Sequence, residues 1–202
     1  MEILIATGNK GKVKEYKQMF ASLPLTLLSL QDVGLGDMDV EENGSTFEAN
    51  AAIKARAYAE ASGKWALADD SGLCVDALNG APGVHSARYG GPGLTDADRR
   101  HRLLGALTDI PDDKRMARFV CVIALANPAT GQCLFSQGSC AGAITRQEID
   151  EGHGFGYDPI FTPQGHTRTF AQIPKDEKNV ISHRGRAAQA IVPILREIIK
   201  GE

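Results

Sequence analysis

The sequence predicts an α/β fold on a mixed β-sheet, and three features support that prediction. Short apolar runs typical of buried strands alternate with segments whose apolar residues recur at helical spacing. Residues 118–126 and 132–139 form two further apolar runs on either side of the turn sequence Asn-Pro-Ala-Thr-Gly at 127–131, which predicts a hairpin. No repeat and no linker-like segment interrupts this order, so we expect one domain over residues 1–202.

The composition argues against several classes of protein. The chain has 202 residues, of which 43% are hydrophobic and 23% charged, and these proportions are ordinary for a globular domain. The net charge of -3 argues against a nucleic-acid polymer as partner, because proteins that coat one are usually basic. The N-terminus lacks a signal-peptide pattern and no apolar run reaches about 18 residues, so we expect a cytoplasmic protein without a membrane partner. The four cysteines form no Cys-x-x-Cys pair, and we expect structural thiols.

The first half of the chain contains the more clearly marked elements. A buried strand over residues 2–6 precedes a helix over 12–21, and a second strand follows over 25–30. Ser45-Thr46-Phe47-Glu48 matches a capping box, with a hydroxyl three residues before Glu, and Gly63 is placed to end the helix that follows. A strand over residues 65–68 then leads into an acidic pair, where we expect it to end.

The second half contains shorter elements. Residues 73–78 are predicted to be extended, and Thr95 is placed to cap a helix over 96–108. After the hairpin, residues 160–161 form a last short strand, and Pro174 begins a short helix that runs through residue 179. The final helix covers residues 186–199 and contains Pro193, which we expect to kink it.

The strongest chemical signal is the sequence Ala-Asp-Asp-Ser-Gly at residues 68–72. A strand that ends in carboxylates presents them at a sheet edge, where a divalent cation can bind. If the strand persists instead, Asp69 and Asp70 point to opposite faces, and one can hold Mg²⁺ while the other orients the backbone or a basic partner. Glu41 or Glu42 can add a further carboxylate. The structural alternatives are a turn or helix cap at the pair and ordinary loop charges at 41–42.

Residues 7–12, Thr-Gly-Asn-Lys-Gly-Lys, form a candidate phosphate-binding turn. Small residues let backbone amides approach phosphate oxygens, and the N-terminus of the following helix favours an anion. The segment is not a Walker A loop, because Ala6 stands at the first glycine position and Val13 at the position of the hydroxyl residue. A plain strand-to-helix turn with surface lysines is the alternative.

Two later segments add candidate contacts to a nucleotide. Residues 154–158, Gly-Phe-Gly-Tyr-Asp, place aromatic rings on a flexible backbone, which suits stacking on a base, although a structural turn also fits. His183 and Arg184 can donate hydrogen bonds to a keto oxygen, and Lys178 can contact phosphate. An ordinary surface pair is the alternative for His183 and Arg184.

Together these segments resemble the inosine triphosphate pyrophosphatase family, and within it the bacterial XTP/dITP diphosphatases. The resemblance extends to residues 46–51 (Thr-Phe-Glu-Ala-Asn-Ala), 80–89 (Gly-Ala-Pro-Gly-Val-His-Ser-Ala-Arg-Tyr) and 177–179 (Glu-Lys-Asn). The segments follow the family's order and cover nearly the whole chain. His85 and Ala49 stand where the family pattern has an aromatic residue and often Glu, and neither belongs to the catalytic set.

The resemblance implies hydrolysis of ITP, dITP and XTP to the nucleoside monophosphate and pyrophosphate, with Mg²⁺ as cofactor. It also implies a homodimer and an ITPase-like fold, in which a long curved mixed sheet flanked by helices forms two lobes around a central active-site cleft. Two alternative functions are a related pyrophosphatase for pyrimidine or methylated nucleotides and a non-catalytic nucleotide-binding module. The paired carboxylates argue against simple binding, and the His-Arg pair with the Gly-Phe-Gly-Tyr-Asp run favours purines.

The site residues that the resemblance implies fall into three groups. Asp70 is the implied catalytic carboxylate and a metal ligand, and Glu42 is the second metal ligand, although the spacing does not decide between Glu41 and Glu42. The implied contacts to the triphosphate are Thr7, Gly8, Asn9, Lys10, Gly11, Lys12 and Lys178. The remaining implied substrate contacts, mostly to base and sugar, are Ser71, Phe155, Gly156, Tyr157, Asp158, His183 and Arg184.

Overall fold

A computed structural model of the chain, which describes residues 1–201, contains a six-stranded β-sheet with the order β2-β1-β3-β4-β5-β6. The strands are β1 (Glu2–Ile5), β2 (Thr26–Leu28), β3 (Trp65–Val75), β4 (Met116–Ala126), β5 (Cys133–Ile144) and β6 (Phe161–Pro163). β1 pairs in parallel with β2 and with β3, whereas β5 and β6 are antiparallel. Because both pairing directions occur, the predicted α/β fold on a mixed sheet is confirmed.

The α-helices of the described chain are α1 (Lys10–Met19), α2 (Phe47–Ser62), α3 (Asp96–Ala106), α4 (Lys175–Ile181) and α5 (His183–Gly201). Two of their ends follow the local signals in the sequence. Gly63 ends α2 in the left-handed conformation, with a φ of 65°. Thr95 caps α3, because its hydroxyl oxygen accepts from the amide of Asp98. The carboxylate of Asp98 accepts from the backbone amide of Thr95, which completes a capping box.

Other helix starts differ from the prediction. Thr46 rather than Ser45 caps α2, because its hydroxyl accepts from the amide of Ala49, and the predicted capping box with Glu48 is wrong. α1 begins at Lys10, two residues early, because the side chain of Asn9 already accepts from the amides that follow it. α5 begins at His183, three residues before the predicted start.

The described chain divides into two compact units, each assembled from separate segments. Unit 1 contains Met1–Asp70, Cys121–Gly138 and the C-terminal segment from Arg184, and unit 2 contains Ser71–Val120 and Ser139–His183. β3, β4 and β5 each begin in one unit and continue in the other. The divisions therefore fall within strands rather than in linkers, and a single domain over the whole chain stays a prediction.

Unit 1 has two apolar layers, because successive side chains along a strand point to opposite faces of the sheet. The first layer joins alternate strand residues to helices α1 and α5, and contains Ile3, Ile5, Leu67, Cys121, Ile123, Tyr16, Phe20, Ile191 and Leu195. The second joins the intervening strand residues to α2, and contains Leu4, Ala6, Ala66, Ala68, Val122, Ala124, Ala51, Ala55 and Tyr58. Any polar residue of these strands therefore faces one helical layer or the other.

Unit 2 has its own core, in which aromatic rings are prominent. Phe119 and Phe161 meet edge to face with ring centroids 4.7 Å apart, and Phe170 lies 5.1 Å from Phe161. The buried guanidinium of Arg115 donates to the carbonyl oxygens of Leu107, Ile144 and Thr145. These hydrogen bonds to main-chain oxygens connect the C-terminal end of α3 with the end of β5.

β3 is longer than the sequence predicts, and this difference matters for the site. The strand runs for 11 residues through both aspartates, and it is the third of six strands in the sheet. The prediction that the strand ends at the acidic pair and presents it at a sheet edge is therefore wrong. The strand persists because side chains from the packed helices meet each carboxylate.

Two further sequence expectations concern membranes and thiols. None of the helices in residues 1–201 has both the length and the apolar character needed to cross a bilayer. Within the same residues no disulfide joins the cysteines, as expected: Cys74, Cys121 and Cys140 are buried, and Cys133 is partly exposed.

Candidate active site

The two aspartates of β3 lie on opposite faces of unit 1. Leu67 belongs to the layer of α1 and α5, and Ala68 belongs to the layer of α2. Continuing the alternation places Asp69 with Leu67 and Asp70 with Ala68. Both carboxylates are buried, with exposed fractions of 2% and 8%. Two adjacent residues of the same type therefore have entirely different surroundings.

Asp69 is the centre of a buried ion-pair network that also contains Lys12, Arg184 and Glu15, here called the Asp69 cluster. Lys12 Nζ lies 2.9 Å from Asp69 Oδ2, and Arg184 Nη2 lies 3.6 Å from the same oxygen. Arg184 Nη1 also donates to Glu15 Oε2 at 2.8 Å. The two cations and two carboxylates balance one another, and an uncompensated ion at the buried positions of Asp69 and Arg184 would be costly.

The electrostatic effects of the Asp69 cluster extend to its neighbours. Burial alone would lower the pKa of Arg184, but the facing carboxylates, Asp69 above all, raise it well above its usual value. Burial raises the pKa of Tyr16, and the charge of Asp69 raises it further. Cys121 Sγ donates to Asp69 Oδ2 at 3.8 Å. Arg184 is thus always charged and Tyr16 always neutral.

Asp70 belongs to a second group, the Asp70 cluster, which also contains Asn50, Glu42 and Lys54. Asn50 Nδ2 donates to Asp70 Oδ2 at 3.0 Å, and Asn50 Oδ1 accepts from the amide of Gly44 at 2.8 Å. Lys54 Nζ lies 3.0 Å from Glu42 Oε2. The loop before α2 thus holds Asn50 in the orientation that meets the carboxylate.

Burial raises the pKa of Asp70, and the charge of Glu42 raises it further. Lys54, the hydrogen bond from Asn50 and the charge of Lys12 oppose this rise without cancelling it. A carboxylate in this state takes up a proton more readily than an exposed one, and it also gains from any added cation. Both properties suit a group that accepts a proton from water or holds a metal ion.

Asp70 and Glu42 are the two carboxylates of the Asp70 cluster that could contribute to a magnesium site completed by phosphate oxygens. Mg²⁺ in such sites usually takes one or two carboxylates from the protein and the rest from substrate and water. Asp70 and Glu42 lie near enough for the charge of Glu42 to affect the pKa of Asp70. Residues 1–201 contain no group of three or more His, Cys, Asp or Glu side chains placed to hold a metal without a substrate.

The candidate phosphate-binding turn lies at the start of α1, also in unit 1. Asn9 Oδ1 accepts from the amides of Gly11 and Lys12 at 2.8 and 3.2 Å, so the side chain of Asn9 already uses two of the amides at the helix end. Thr7 Oγ1 accepts from the amide of Asn9 at 3.3 Å. Gly8, Asn9, Lys10 and Gly11 are exposed, and Lys12 points toward Asp69.

In unit 2, residues 154–158 form a braced turn, here called the Phe155 loop. The ring of Phe155 is 39% exposed, whereas Tyr157 is buried and donates its hydroxyl hydrogen to the carbonyl oxygen of Ser86. Asp158 Oδ2 accepts from the amide of Phe155 at 2.8 Å and pairs with Lys178 Nζ at 2.6 Å. Tyr157 and Asp158 therefore shape the loop, and Phe155 is its exposed ring.

Lys178 and His183 also have clear partners inside unit 2. Lys178 Nζ lies 5.0 Å above the ring of Phe155 and 5.5 Å from that of Phe170, which adds cation–π contacts to its ion pair with Asp158. The imidazole of His183 stacks on Phe119 with centroids 4.6 Å apart and an angle of 11° between the planes. His183 and Lys178 are both buried.

The predicted site residues therefore fall into two groups, according to the compact unit that contains them. Those of unit 1 are Asp70, Glu42, Thr7, Gly8, Asn9, Lys10, Gly11, Lys12 and Arg184, and those of unit 2 are Ser71, Phe155, Gly156, Tyr157, Asp158, Lys178 and His183. The chain continues from one unit into the other between Asp70 and Ser71 and again between His183 and Arg184. At both positions, consecutive residues of the predicted site therefore belong to different units.

Three residues of these clusters, Asn50, Lys54 and Glu15, were not predicted from the sequence to belong to the site. Asn50 and Lys54 of α2 act on Asp70, and Glu15 of α1 pairs with Arg184. Helical spacing offered a signal for the first two: Asn50 and Lys54 are four residues apart and share one face of α2. Nothing in the sequence alone pairs Glu15 with a residue 169 positions away.

The fold and the buried carboxylates define an α/β protein with an acidic centre beside a strand-to-helix turn. The model of the Ham1 family matches residues 3–194, and the chain therefore belongs to the Ham1 family. A relative from Oceanobacillus iheyensis named dITP/XTP pyrophosphatase is 44% identical over 197 residues, which cover 98% of this chain and 99% of the relative. A relative of the same name from Streptomyces coelicolor is 46% identical over 199 residues, 98% of each chain.

Solved structures agree with this assignment. A HAM1 protein from Coxiella burnetii superimposes with a TM-score of 0.88 at 43% identity, covering 98% of this chain and 99% of that one. The nucleoside-triphosphatase / dITP/XTP pyrophosphatase from Mycobacterium abscessus superimposes with a TM-score of 0.76 at 44% identity, covering 96% of this chain and 100% of that one.

Proposed function

We infer that the protein hydrolyses deaminated purine nucleoside triphosphates, namely ITP, dITP and XTP, to the nucleoside monophosphate and pyrophosphate. Relatives named dITP/XTP pyrophosphatases match 98% of the chain at 44–46% identity. The structural observation that carries the inference is buried Asp70, whose pKa is raised and whose orientation is fixed by Asn50. The protein is thus an enzyme of nucleotide metabolism that removes non-standard purines from the nucleotide pool.

Asp70 is the group that we assign to proton transfer at the reacting centre. Its raised pKa suits acceptance of a proton from the water that attacks the α-phosphorus, and Asn50 holds the carboxylate in one orientation while this happens. Asp70 and Glu42 would hold Mg²⁺, which supplies positive charge against the phosphate oxygens and lowers the pKa of nearby water when it is bound. Lys54 keeps Glu42 in place.

The lysines and the start of α1 are assigned to the triphosphate. This contact surface consists of Thr7, Gly8, Asn9, Lys10, Gly11 and Lys12. Lys178 is a further cation. Lys12 and Lys178 would offset the charge that develops on the transferred and leaving oxygens. Each lysine pairs with an aspartate, Lys12 with Asp69 and Lys178 with Asp158. Each pair holds its ammonium group in one orientation.

We assign the selection of the base to hydrogen-bond donors and to an aromatic ring that stacks on the purine. Phe155 offers an exposed ring for the purine, with Gly156, Tyr157 and Asp158 shaping its loop and Ser71 as a further substrate contact. His183 and Arg184 would donate to the keto oxygen of hypoxanthine or xanthine. Adenine carries an amino group there, which leaves a buried donor unpaired at a cost of about 1–3 kcal/mol, so ATP should react one to two decades more slowly.

The experiment that tests the function uses the whole protein with Mg²⁺ and five substrates: ITP, XTP, GTP, ATP and UTP. Pyrophosphate and orthophosphate are assayed separately. We expect pyrophosphate from ITP and XTP and little product from the rest. Orthophosphate alone would place cleavage at a different bond, preference for UTP would favour a pyrimidine pyrophosphatase, and absence of any product would favour a nucleotide-binding module.

The metal assignment has its own matched pair of variants. Glu42→Gln should raise the Mg²⁺ concentration needed for half-maximal activity about tenfold, because Glu42 lies beside Asp70 and Lys54. Glu41→Gln alters an exposed neighbour and should leave that concentration unchanged. The opposite order of effects would assign the second ligand to Glu41.

Three further proposals await measurement, of which the first follows from the family resemblance and the other two from the sequence itself. We propose a homodimer, which sedimentation of the purified protein tests directly. We propose one cooperatively unfolding domain over the chain, which coincident unfolding transitions by circular dichroism and by Trp65 fluorescence would support. We propose the cytoplasm as the location, where fractionation of cells that produce the tagged protein would find it.

A further inference from the structure

Helix α3 makes hydrogen bonds to the main chain of the Phe155 loop at one residue, Gly156. The amide of Gly156 donates to Asp96 Oδ2 at 3.2 Å, and the carbonyl oxygen of Gly156 accepts from Arg100 Nη1 at 2.8 Å. Asp96 and Arg100 are four residues apart, so they lie on one face of α3. One helix face therefore binds both polar groups of the residue that follows Phe155.

Arg100 is itself held in place by an ion pair with Glu148. Its Nη2 lies 3.0 Å from Glu148 Oε2, and only 12% of its side chain is exposed. A guanidinium that binds a carboxylate with one nitrogen and a carbonyl oxygen with another has little freedom left. Asp96, by contrast, is 58% exposed and adds the weaker bond.

The loop needs such support because its backbone is unusual. Gly156 has a φ of 59°, in the left-handed region that favours glycine. A Cβ atom at Gly154 would lie 2.5 Å from Asp158 Cβ, so the turn is closed tightly on its own carboxylate. Asp158 and Lys178 fix the start and end of the loop, but the bonds to its central residue come from α3.

We propose that Arg100, assisted by Asp96, is a positioning residue that fixes the Phe155 loop and so presents the ring of Phe155 to the purine. This role deepens the proposed function and rests on it, because it assumes that Phe155 stacks on the base. Arg100 acts only through Gly156 and touches no reacting atom. Removal of Arg100 should therefore weaken binding of the base while the hydrolytic step continues.

The primary test compares Arg100→Met with Arg102→Met, which makes the same change at an exposed position of α3. With dITP, Arg100→Met should raise KM about tenfold, corresponding to about 1.4 kcal/mol, and leave kcat within about twofold. Arg102→Met should match the wild type in both constants. Equal KM values in all three proteins would overturn the proposal, and so would a loss confined to kcat.

A double-mutant cycle separates positioning from general loss of structure. In a Phe155→Ala background there is no ring left to position, so Arg100→Met should cause little further rise in KM. Arg100→Lys keeps the charge and one donor and should restore part of the affinity. If Arg100→Met raises KM by the same factor with and without Phe155, the two residues act independently and the proposal fails.

Hydrogen exchange gives a readout that does not depend on the reaction. Arg100→Met should speed exchange of the Gly156 and Phe155 amides by more than tenfold, whereas amides of β1 should keep their wild-type rates. If the wild type releases no pyrophosphate from dITP, the proposed function fails irrespective of these rates. If the wild type is active but the loop amides exchange at the same rate in both proteins, the positioning role fails.

Discussion

Asp69 and Asp70 are adjacent in the chain, yet they occupy opposite kinds of electrostatic environment. Asp69 faces two cations, Lys12 and Arg184, in the layer formed with α1 and α5. Asp70 lies in the layer of α2, where the neutral amide of Asn50 donates to it and where the charges of Lys54 and of a second carboxylate, Glu42, shift its pKa in opposite directions. The first environment places two cations beside the carboxylate of Asp69, and the second raises the pKa of the Asp70 carboxyl group, chiefly through burial.

With the role proposed above for Asp70, one strand would combine a structural carboxylate, Asp69, with a chemical one. The Asp69 cluster balances its charges internally and so holds α1 and α5 against β3. The Asp70 cluster carries excess negative charge that a cation can relieve. Successive side chains of a strand point to opposite faces of the sheet. Two adjacent residues can therefore meet different helical layers, and each layer can suit a different role.

The largest effect should come from Asp70→Asn, which tests the chemical side of the comparison. The variant keeps the size of the side chain and can still accept the hydrogen bond from Asn50, but it can neither take a proton nor hold Mg²⁺ as an anion. We expect kcat for dITP to fall about a thousandfold with an unchanged circular dichroism spectrum. Wild-type turnover in this variant would remove Asp70 from the reaction.

Asp69→Asn tests the structural side and should act on stability. Removing this anion leaves Lys12 and Arg184 facing each other without the carboxylate between them, at a cost of about 3–4 kcal/mol in the free energy of unfolding. Urea denaturation measures this loss. The control is Glu2→Gln, which removes an exposed pair with Lys64 and should change stability by less than about 0.5 kcal/mol. Equal effects of the two substitutions would contradict the role of the Asp69 cluster.

Gly44→Ala should disturb the Asp70 cluster without touching a charged group. A Cβ atom at Gly44 would lie 2.7 Å from Asn50 Oδ1, so Asn50 must shift away from Asp70. We expect kcat to fall about tenfold, because the carboxylate loses its fixed orientation. Gly36→Ala is the matched control, since its new methyl group would make ordinary contacts with Gln31, and it should retain wild-type kcat.

The smallest effect concerns the pH dependence of stability. The pKa of Asp70 is raised in the folded protein above its ordinary value of 3.8, so the folded state binds the proton more tightly than the unfolded state. Asp70 therefore reduces stability as the pH rises from 3.8 through the raised pKa, and the full cost applies above it.

Asp70→Asn lacks this cost, because asparagine does not titrate. Its Tm without Mg²⁺ should exceed that of the wild type at pH 7, and the difference should shrink as the pH falls toward 3.8. Calorimetry in a chelating buffer measures both values. A Tm difference that grows with acidity would mean that the pKa of Asp70 is lowered rather than raised.

The order of elements was predictable from the sequence, while their limits were less so. Gly63 ends α2 and Thr95 begins α3 as the local signals predict. β3 continues seven residues beyond its predicted end, because partners from other segments compensate the burial of its carboxylates. Polar residues usually end a buried strand, and only knowledge of Lys12 and Asn50 in space reverses that expectation.

The sequence by itself determined the class of fold and the candidate residues for phosphate and base, and it separated Asp69 from Asp70 only on the condition that the strand continues through them. These depend on local periodicity and on residue chemistry, which the chain carries in order. The tertiary structure decided which aspartate meets cations, that Asn50 fixes Asp70, and that Arg100 braces the Phe155 loop. Burial and charge balance arise from residues far apart in the chain, so the pKa of a carboxylate is a property of packing.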